Sequence, residues 1–292
     1  MTDQDWLAER FEEHRPRLRS VAYRMLGSLS EADDAVQDAW VRVARADAGE
    51  VENLGGWLTT VVARVALNML RSRRTRPQEP LDVHLPDPVL EHPSGRDPEH
   101  EAVLADSVGL AMLVVLESLS PAERLAFVLH DMFGMPFGEI AAIVERTPEA
   151  TRQLASRARR RVQGSARVPE ADREVQWRVV EAFLAAARNG DFEALVSILD
   201  PDVVLRVDGG STGLSHQARG AATVAGQALR FRQVGLTVRR ALVNGAAGLV
   251  SLRDGTPFSV GAFTVRNGKI VELDFLVDPD RVARLDFSVL DD

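Results

Sequence analysis

The spacing of apolar residues changes once along this chain, and that change limits what it can fold into. Before Gln163 the apolar positions recur at intervals of three and four. They do so in Leu18, Val21, Ala22, Met25 and Leu26, in Ala35, Val36, Ala39, Trp40 and Val43, and in Trp57, Leu58, Val61, Val62, Val65, Ala66, Met69 and Leu70. That is the period of helices with one buried face. After Pro169 two more amphipathic helices, marked by Val175 to Ala187 and by Phe192 to Leu199, give way to strand-like runs: DVVLRVD, LTVRRALVN, AGLVSLRD, FSVGAFTVR and KIVELDFLVD. Asn244-Gly245, Asp254-Gly255 and Asn267-Gly268 separate these runs, and such dipeptides accept the backbone angles of tight hairpins. The first part of the chain is therefore expected to be all helical. The second is expected to be an α+β domain with helices packed on a curved antiparallel sheet.

Breaks in the pattern divide the helical part. Gly27-Ser28 and Asp47-Ala48-Gly49 punctuate it, and Ser30 before Glu31 is read as a helix N-cap. Residues 77–98, PQEPLDVHLPDPVLEHPSGRDP, are dense in proline and acid and predict an extended linker. The expected organisation is a helical domain over 1–76, the linker over 77–98, a second helical domain over 99–168 and the α+β domain over 169–292. In the second helical domain Ser120 caps a helix that opens on Pro121, where the missing N–H costs nothing. Farther on, Ile140, Ala141 and Val144 give a short apolar face, Glu145-Arg146 turns the chain, and Thr147-Pro148 starts a new helix. On that helix Thr151, Leu154, Ala158 and Val162 are expected inside, and Arg152, Gln153, Ser156, Arg157 and Arg160 outside. Two short helices with long polar donors on the exposed part of the second form a helix-turn-helix pattern.

Charge supports contact with a polyanion. The chain of 292 residues carries a formal net charge of -8, yet residues 53–78 and 150–169 contain no Asp or Glu while arginines accumulate there. A solvated helix face usually alternates its signs, so single-sign stretches in an acidic chain point to nucleic acid. The absence of cysteine excludes disulfides, thiolate zinc sites and cysteine nucleophiles. No run approaches the roughly 18 apolar residues of a membrane span, and the start MTDQDWLAERFEEH lacks a signal core, so no membrane contact and a cytoplasmic location are expected.

Three segments resemble a known family. EADDAVQDAWVRV at 31–43, GGWLTTVVARVALNMLRSRRTR at 55–76, and LSPAERLAFVLHDMFGMPFGEIAAIVERTPEATRQLASRARRRV at 119–162 resemble regions 2 and 4 of sigma-70-type factors. With no domain between them, they resemble the extracytoplasmic-function group. Residues 170–292 resemble a SnoaL-like cone domain, and sigma factors with that fusion form a subgroup. HLPDP at 84–88, DGGST at 208–212 and DPDRV at 278–282 resemble its linker, glycine-rich and C-terminal motifs, with His84 where a tryptophan is usual and Ser211-Thr212 where Gly-Lys is usual.

The resemblance implies a factor that binds core RNA polymerase and promoter DNA. Asp33, Asp34, Gln37 and Asp38 form an acidic helix face for the polymerase clamp coiled coil. Arg64, Asn68 and Arg71 share one face of the helix that would read the -10 element, with Arg73, Arg74 and Arg76 as phosphate anchors. A pocket for an extruded base is expected in the loop from Asp47 to Asn53, while Trp40 and Trp57 fall on apolar faces and read as core. Arg152, Gln153, Ser156 and Arg157 are candidates for base contact at the -35 element, and Arg159, Arg160 and Arg161 for phosphate contact. In the cone, Arg206, Asp208, His216 and Asp274 are the polar candidates, and no pair has a spacing that demands acid–base chemistry. No catalysis, cofactor or metal is therefore expected. Instead the cone is expected to hold the linker, with His84, Leu85, Pro86, Asp87 and Pro88 against Asp208, Gly209 and Gly210 and against the segment Asp278 to Val282, of which Asp278, Pro279 and Asp280 are the named contacts. Neither a cavity ligand nor a separate anti-sigma protein is named by the residues. Two rival classes are a one-component repressor, which leaves the helices at 31–43 and 55–76 without a role, and a cone enzyme with an appended interaction module, which predicts turnover without polymerase or DNA.

Overall fold

A computed structural model of the chain describes residues 3–45, 53–75, 83–94, 109–165, 172–231 and 235–290. It forms two compact units, one of Met1–Gln78 with Leu113–Ala166, the other of Glu79–Met112 with Arg167–Asp292.

In the first unit α1 (Asp3–Leu26), α2 (Leu29–Val43) and α3 (Leu54–Thr75) pack on one another. Their core takes in Leu18, Met25, Leu26 and Leu58 of the predicted apolar stripe, and also Phe11, Tyr23 and Leu67, all buried. The α2 boundary differs from expectation. Ser28, in extended backbone, stands at the N-cap position, and Ser30 lies inside the helix. Gly27, at φ 73, ends α1 directly before this cap.

The remainder of this unit follows α4 (Leu110–Glu117). Helix α5 (Pro121–Phe127) starts with the expected Ser120 cap, reinforced because the Glu123 side chain reaches back to the Ser120 amide. It runs into a π-helical turn, Val128–Met132. Helices α6 (Phe137–Val144) and α7 (Pro148–Ser165) come next, with α7 packed on α5 and α6. Two lobes are docked inside the unit. α3 packs on α5 and α6, and Arg124, 5% exposed, donates to the Leu116 carbonyl at 2.7 Å and across the lobes to the Met25 carbonyl at 2.8 Å. Burial pulls the Arg124 pKa down to about 10, well above neutrality, so the guanidinium stays charged.

Among the described residues the second unit is built on a seven-stranded sheet in the order β1-β4-β5-β6-β7-β2-β3. The strands are β1 (Leu90–Glu91), β2 (Leu199–Asp208), β3 (His216–Arg219), β4 (Thr237–Val243), β5 (Ala246–Arg253), β6 (Thr256–Arg266) and β7 (Lys269–Leu276). Helices α8 (Arg173–Asn189), α9 (Phe192–Ile198) and α10 (Ala221–Phe231) complete it. Val203, Leu205 and Val207 of β2 join Phe183, Leu195 and Val224 of the helices in one core, so the alternate residues Arg206 and Asp208 lie on the other face. The three hairpin dipeptides form as expected, with positive φ at Asn244, Asp254 and Asn267 and at the glycine after each.

Three departures follow from features that local pattern does not encode. The sheet is mixed, because β2 pairs with β7 in parallel. Helix α10 and the short strand β3 lie where no element was expected. The α10 sequence AATVAGQALRF carries an internal glycine, a weak helix former. The third is the edge strand β1, formed inside the residues read as an extended linker: it pairs with β4, and Val83, Leu85, Pro86, Asp87, Pro88, Val89 and Leu90 are buried.

Candidate functional site

The helix-turn-helix is set by its turn. Glu145 takes the left-handed conformation at φ 58, and the Arg146 amide donates to the Ala141 carbonyl at 3.1 Å. Thr147 then caps α7, its hydroxyl accepting from the Ala150 amide at 3.2 Å. Thr151, Ala155, Ala158 and Val162 are buried and hold the helix down. Ala155 takes the inward place expected of Leu154, which is half-buried. Arg152, Gln153, Ser156, Arg157 and Arg160 are all exposed in one row. Arg159 and Arg161, expected at phosphates, are tied into the fold: Arg159 to Asp131 at 2.9 Å and Arg161 to Glu123 at 3.4 Å. Burial works to raise the Glu123 carboxyl, but hydrogen bonds from Ser120 and the nearby Arg161 and Arg157 outweigh it, so it sits below the ordinary value.

On α3, Arg64, Asn68 and Arg71 are exposed one helical turn apart. Arg64 also donates to the Ala142 carbonyl of α6 at 3.4 Å. Arg73 is differently employed, since it pairs with Glu31 and donates to the Leu26 carbonyl at 3.1 Å, stapling α3 to the α1–α2 corner. The side chain of Arg74 lies outside the described residues, as do Arg76 and residues 46–52, where the base pocket was expected. Trp40 and Trp57 are half-buried, with the Trp40 ring 5.0 Å from that of Phe11. On α2 the residues Asp33, Asp34, Gln37 and Asp38 are exposed, opposite the buried Ala32, Ala35, Val36 and Ala39. Asp33 pairs with Arg19 at 2.6 Å. Val41, 42% exposed, adds one apolar side chain a turn beyond Gln37 and Asp38.

In the second unit the linker meets the cone through one guanidinium. Arg281 donates to Asp87 at 2.8 Å, to Asp208 at 2.6 Å and to the Leu85 carbonyl at 2.6 Å. Asp208, fully buried, also accepts from the Leu85 amide at 2.8 Å and the Gly210 amide at 3.0 Å. Burial would lower the Arg281 pKa, but Asp87 and Asp208 outweigh it and hold it above the ordinary arginine value. Asp278 caps the short helix α11 (Pro279–Val282) by accepting from the Asp280 and Arg281 amides, which orients Arg281. Pro279 and Asp280 are exposed and form the first turn. Gly210 has φ +55, and a Cβ there would collide with the Asp278 carboxylate, so glycine is required. Gly209 is similarly confined by Thr212 and Leu214. His84 is half-exposed, with Nδ1 3.5 Å from the Asp208 carboxylate. Asn244 completes the contact, its side chain accepting from the Val89 amide at 3.1 Å.

Arg281 lay within the expected contact segment Asp278 to Val282 without a role of its own, and Asn244 was expected only as a turn residue. Arg281 stood in the quoted DPDRV segment, three residues after a capping Asp, but nothing local marks it as the centre of a network. The remaining polar candidates have structural partners. Arg206 pairs with Asp274 at 2.9 Å and Glu272 at 3.3 Å on the face away from the helices, and burial pushes the Asp274 carboxyl up against the pull of Arg206. His216 meets Gln227 at 3.0 Å. The core between sheet and helices is lined by apolar side chains, among them Phe183, Phe263 and Phe275. Among the described residues no cluster of His, Cys, Asp and Glu fits a metal ion, and no helix is long and apolar enough to cross a membrane.

A two-lobed helical unit with an exposed helix-turn-helix row, together with a cone that holds the linker, defines the class. Residues 10–76 match the family model Sigma-70 region 2, and residues 110–162 match Sigma-70, region 4. The chain is 34% identical to the probable ECF RNA polymerase sigma factor SigI of Mycobacterium tuberculosis, with 98% of each chain covered. It is 37% identical to the ECF RNA polymerase sigma factor SigJ of the same organism, over 93% of this chain and 91% of that one. The crystal structure of SigJ aligns over 94% of this chain and 98% of that chain, with a TM-score of 0.76 at 34% identity. The chain belongs to the extracytoplasmic-function RNA polymerase sigma factors.

Proposed function

We propose that this protein binds core RNA polymerase and directs promoter-specific initiation, with its output set by the cone through the linker. The observation that carries the reading is the exposed row Arg152, Gln153, Ser156, Arg157 and Arg160 on a capped helix whose other two arginines are tied into the fold. Such a helix presents base-reading forks and a phosphate contact to a major groove. The exposed Asp34, Gln37 and Asp38 of α2 dock on a basic surface of the polymerase, where charge sets orientation and association rate. Arg64, Asn68 and Arg71 of α3 read the -10 element. Arg73 keeps α3 in place instead of holding a phosphate.

The cone acts as a holder and not as a catalyst, because Asp208, the most buried of its polar candidates, is committed to the linker. The linker joins the -10 and -35 reading domains, so holding residues 83–91 restricts how far those domains spread. Release changes promoter choice or output. Transcription with purified core polymerase tests both parts. Discrete starts with the full chain support the sigma reading. A changed output when Arg281→Ala frees the linker supports the regulatory role, and unchanged output removes it.

A further inference from the structure

We propose that Phe137 is a positioning residue for Arg152, and that the π-helical turn before it presets the recognition helix for base reading. This deepens the proposed function and rests on α7 being the helix that reads bases. The π turn Val128–Met132 carries His130 and Asp131, and such turns are rare and frequent at functional sites. The Met135 carbonyl, 3.0 Å away, accepts from His130 Nδ1 and fixes the ring. That ring stacks on Phe137, with centroids 3.8 Å apart and planes 28° from parallel. The Arg152 guanidinium lies 5.3 Å from the Phe137 centroid. His130, Phe137 and Arg152 therefore form a column from the scaffold to the first arginine of the exposed row. Asp131, the next residue of the same turn, holds Arg159 at 2.9 Å. Arg159 lies seven residues after Arg152, two turns along the same side of α7. One turn thus grips the recognition helix at two points.

The column does not compete with DNA. A guanidinium stacks on a ring through its flat face, which leaves the donors along its edge free for two parallel bonds to guanine O6 and N7. A long side chain already held near its bound geometry has less freedom to lose on binding. Among the described residues Arg152 is the one member of the exposed row with a ring beneath it. Its discrimination should therefore depend on that ring.

The test is selection from a randomised duplex library by holoenzyme assembled from the full chain and core polymerase, for wild type, R152A, F137L and F137Y. The wild type should show a preferred base that R152A relaxes by at least about fivefold, the lower end for a bidentate arginine contact. F137L should relax the same position by a similar factor and leave the others, F137Y should retain the preference, and F137L with R152A should be no worse than R152A alone. The stack is read independently from the ring-current shift of the Arg152 side-chain protons, present in wild type and F137Y and lost in F137L. Full preference in F137L, or no ring-current shift in the wild type, overturns the positioning role and leaves the sigma reading intact. A wild type with no preferred upstream base overturns both. Unchanged unfolding of F137L excludes collapse of the domain as the cause of its loss.

Discussion

At the scale of single residues, two arginines of one helix should behave differently. Arg152→Ala should relax sequence preference at one position, whereas Arg160→Ala should weaken binding to all sequences and lower the salt slope by about one. Binding titrations against mutated sites at several salt concentrations measure both, and identical behaviour would contradict the division. In the cone, Arg281→Ala leaves the fully buried Asp208 and the nearly buried Asp87 without their common cation. It should destabilise the cone by about 3–5 kcal/mol, the usual cost of removing one partner of a buried pair. Thermal unfolding of the full chain measures this, and a loss below about 1 kcal/mol would mean that the clasp contributes little. The five exposed residues of α7 were legible in the sequence because helical periodicity alone sorts inward from outward. Arg159 and Arg161 were not, since their partners Asp131 and Glu123 lie 28 and 38 residues away. Arg281 escaped for the same reason, with partners at separations of 73 and 194 residues.

At the scale of elements, the capping box that opens α5 makes a pH-dependent contribution. The Glu123 carboxyl is held below its ordinary value in the folded chain, so its stabilisation is present above the unfolded carboxyl range and fades as pH falls through the folded value. Glu123→Gln should therefore be less stable than the parent at pH 7, and the difference should shrink below about pH 4. Denaturation at several pH values measures it, and a gap that widens toward acid would contradict the assignment. The hairpin turns of the cone were plain from three dipeptides, and the caps at Ser120 and Thr147 from residue type. The parallel β2–β7 pair and the pairing of β1 with β4 were not, because strand order and edge pairing depend on distant chain. The linker's hold on the cone was expected from its motif, but two of its partners, Arg281 for Asp87 and Asn244 for the Val89 amide, are supplied from distant chain and were not.

At the scale of the molecule, the docked lobes of the helical unit bear on promoter reading. Arg64 of α3 is within hydrogen-bond distance of Ala142 in the helix-turn-helix. Promoter elements about 25 base pairs apart are separated by roughly 80 Å on a duplex that rises about 3.4 Å per pair. One chain reads both only if the lobes part. The cysteine-free sequence allows clean labelling at Arg45→Cys and Gln163→Cys, exposed sites outside the reading rows. The label separation should increase by tens of ångströms when core polymerase and promoter DNA are added, and an unchanged separation would contradict parting. Arg124→Met, which removes a side-chain donor from the Met25 and Leu116 carbonyls, should loosen the docked form by about 1–3 kcal/mol.

The most direct test of the central claim is transcription from a genomic fragment library with purified core RNA polymerase and the full chain. The account predicts transcripts that begin at discrete positions and depend on the added chain. They should diminish when Asp34, Gln37 and Asp38 are replaced together by alanine. Absence of discrete starts, under conditions where a known sigma factor supports them, would contradict it.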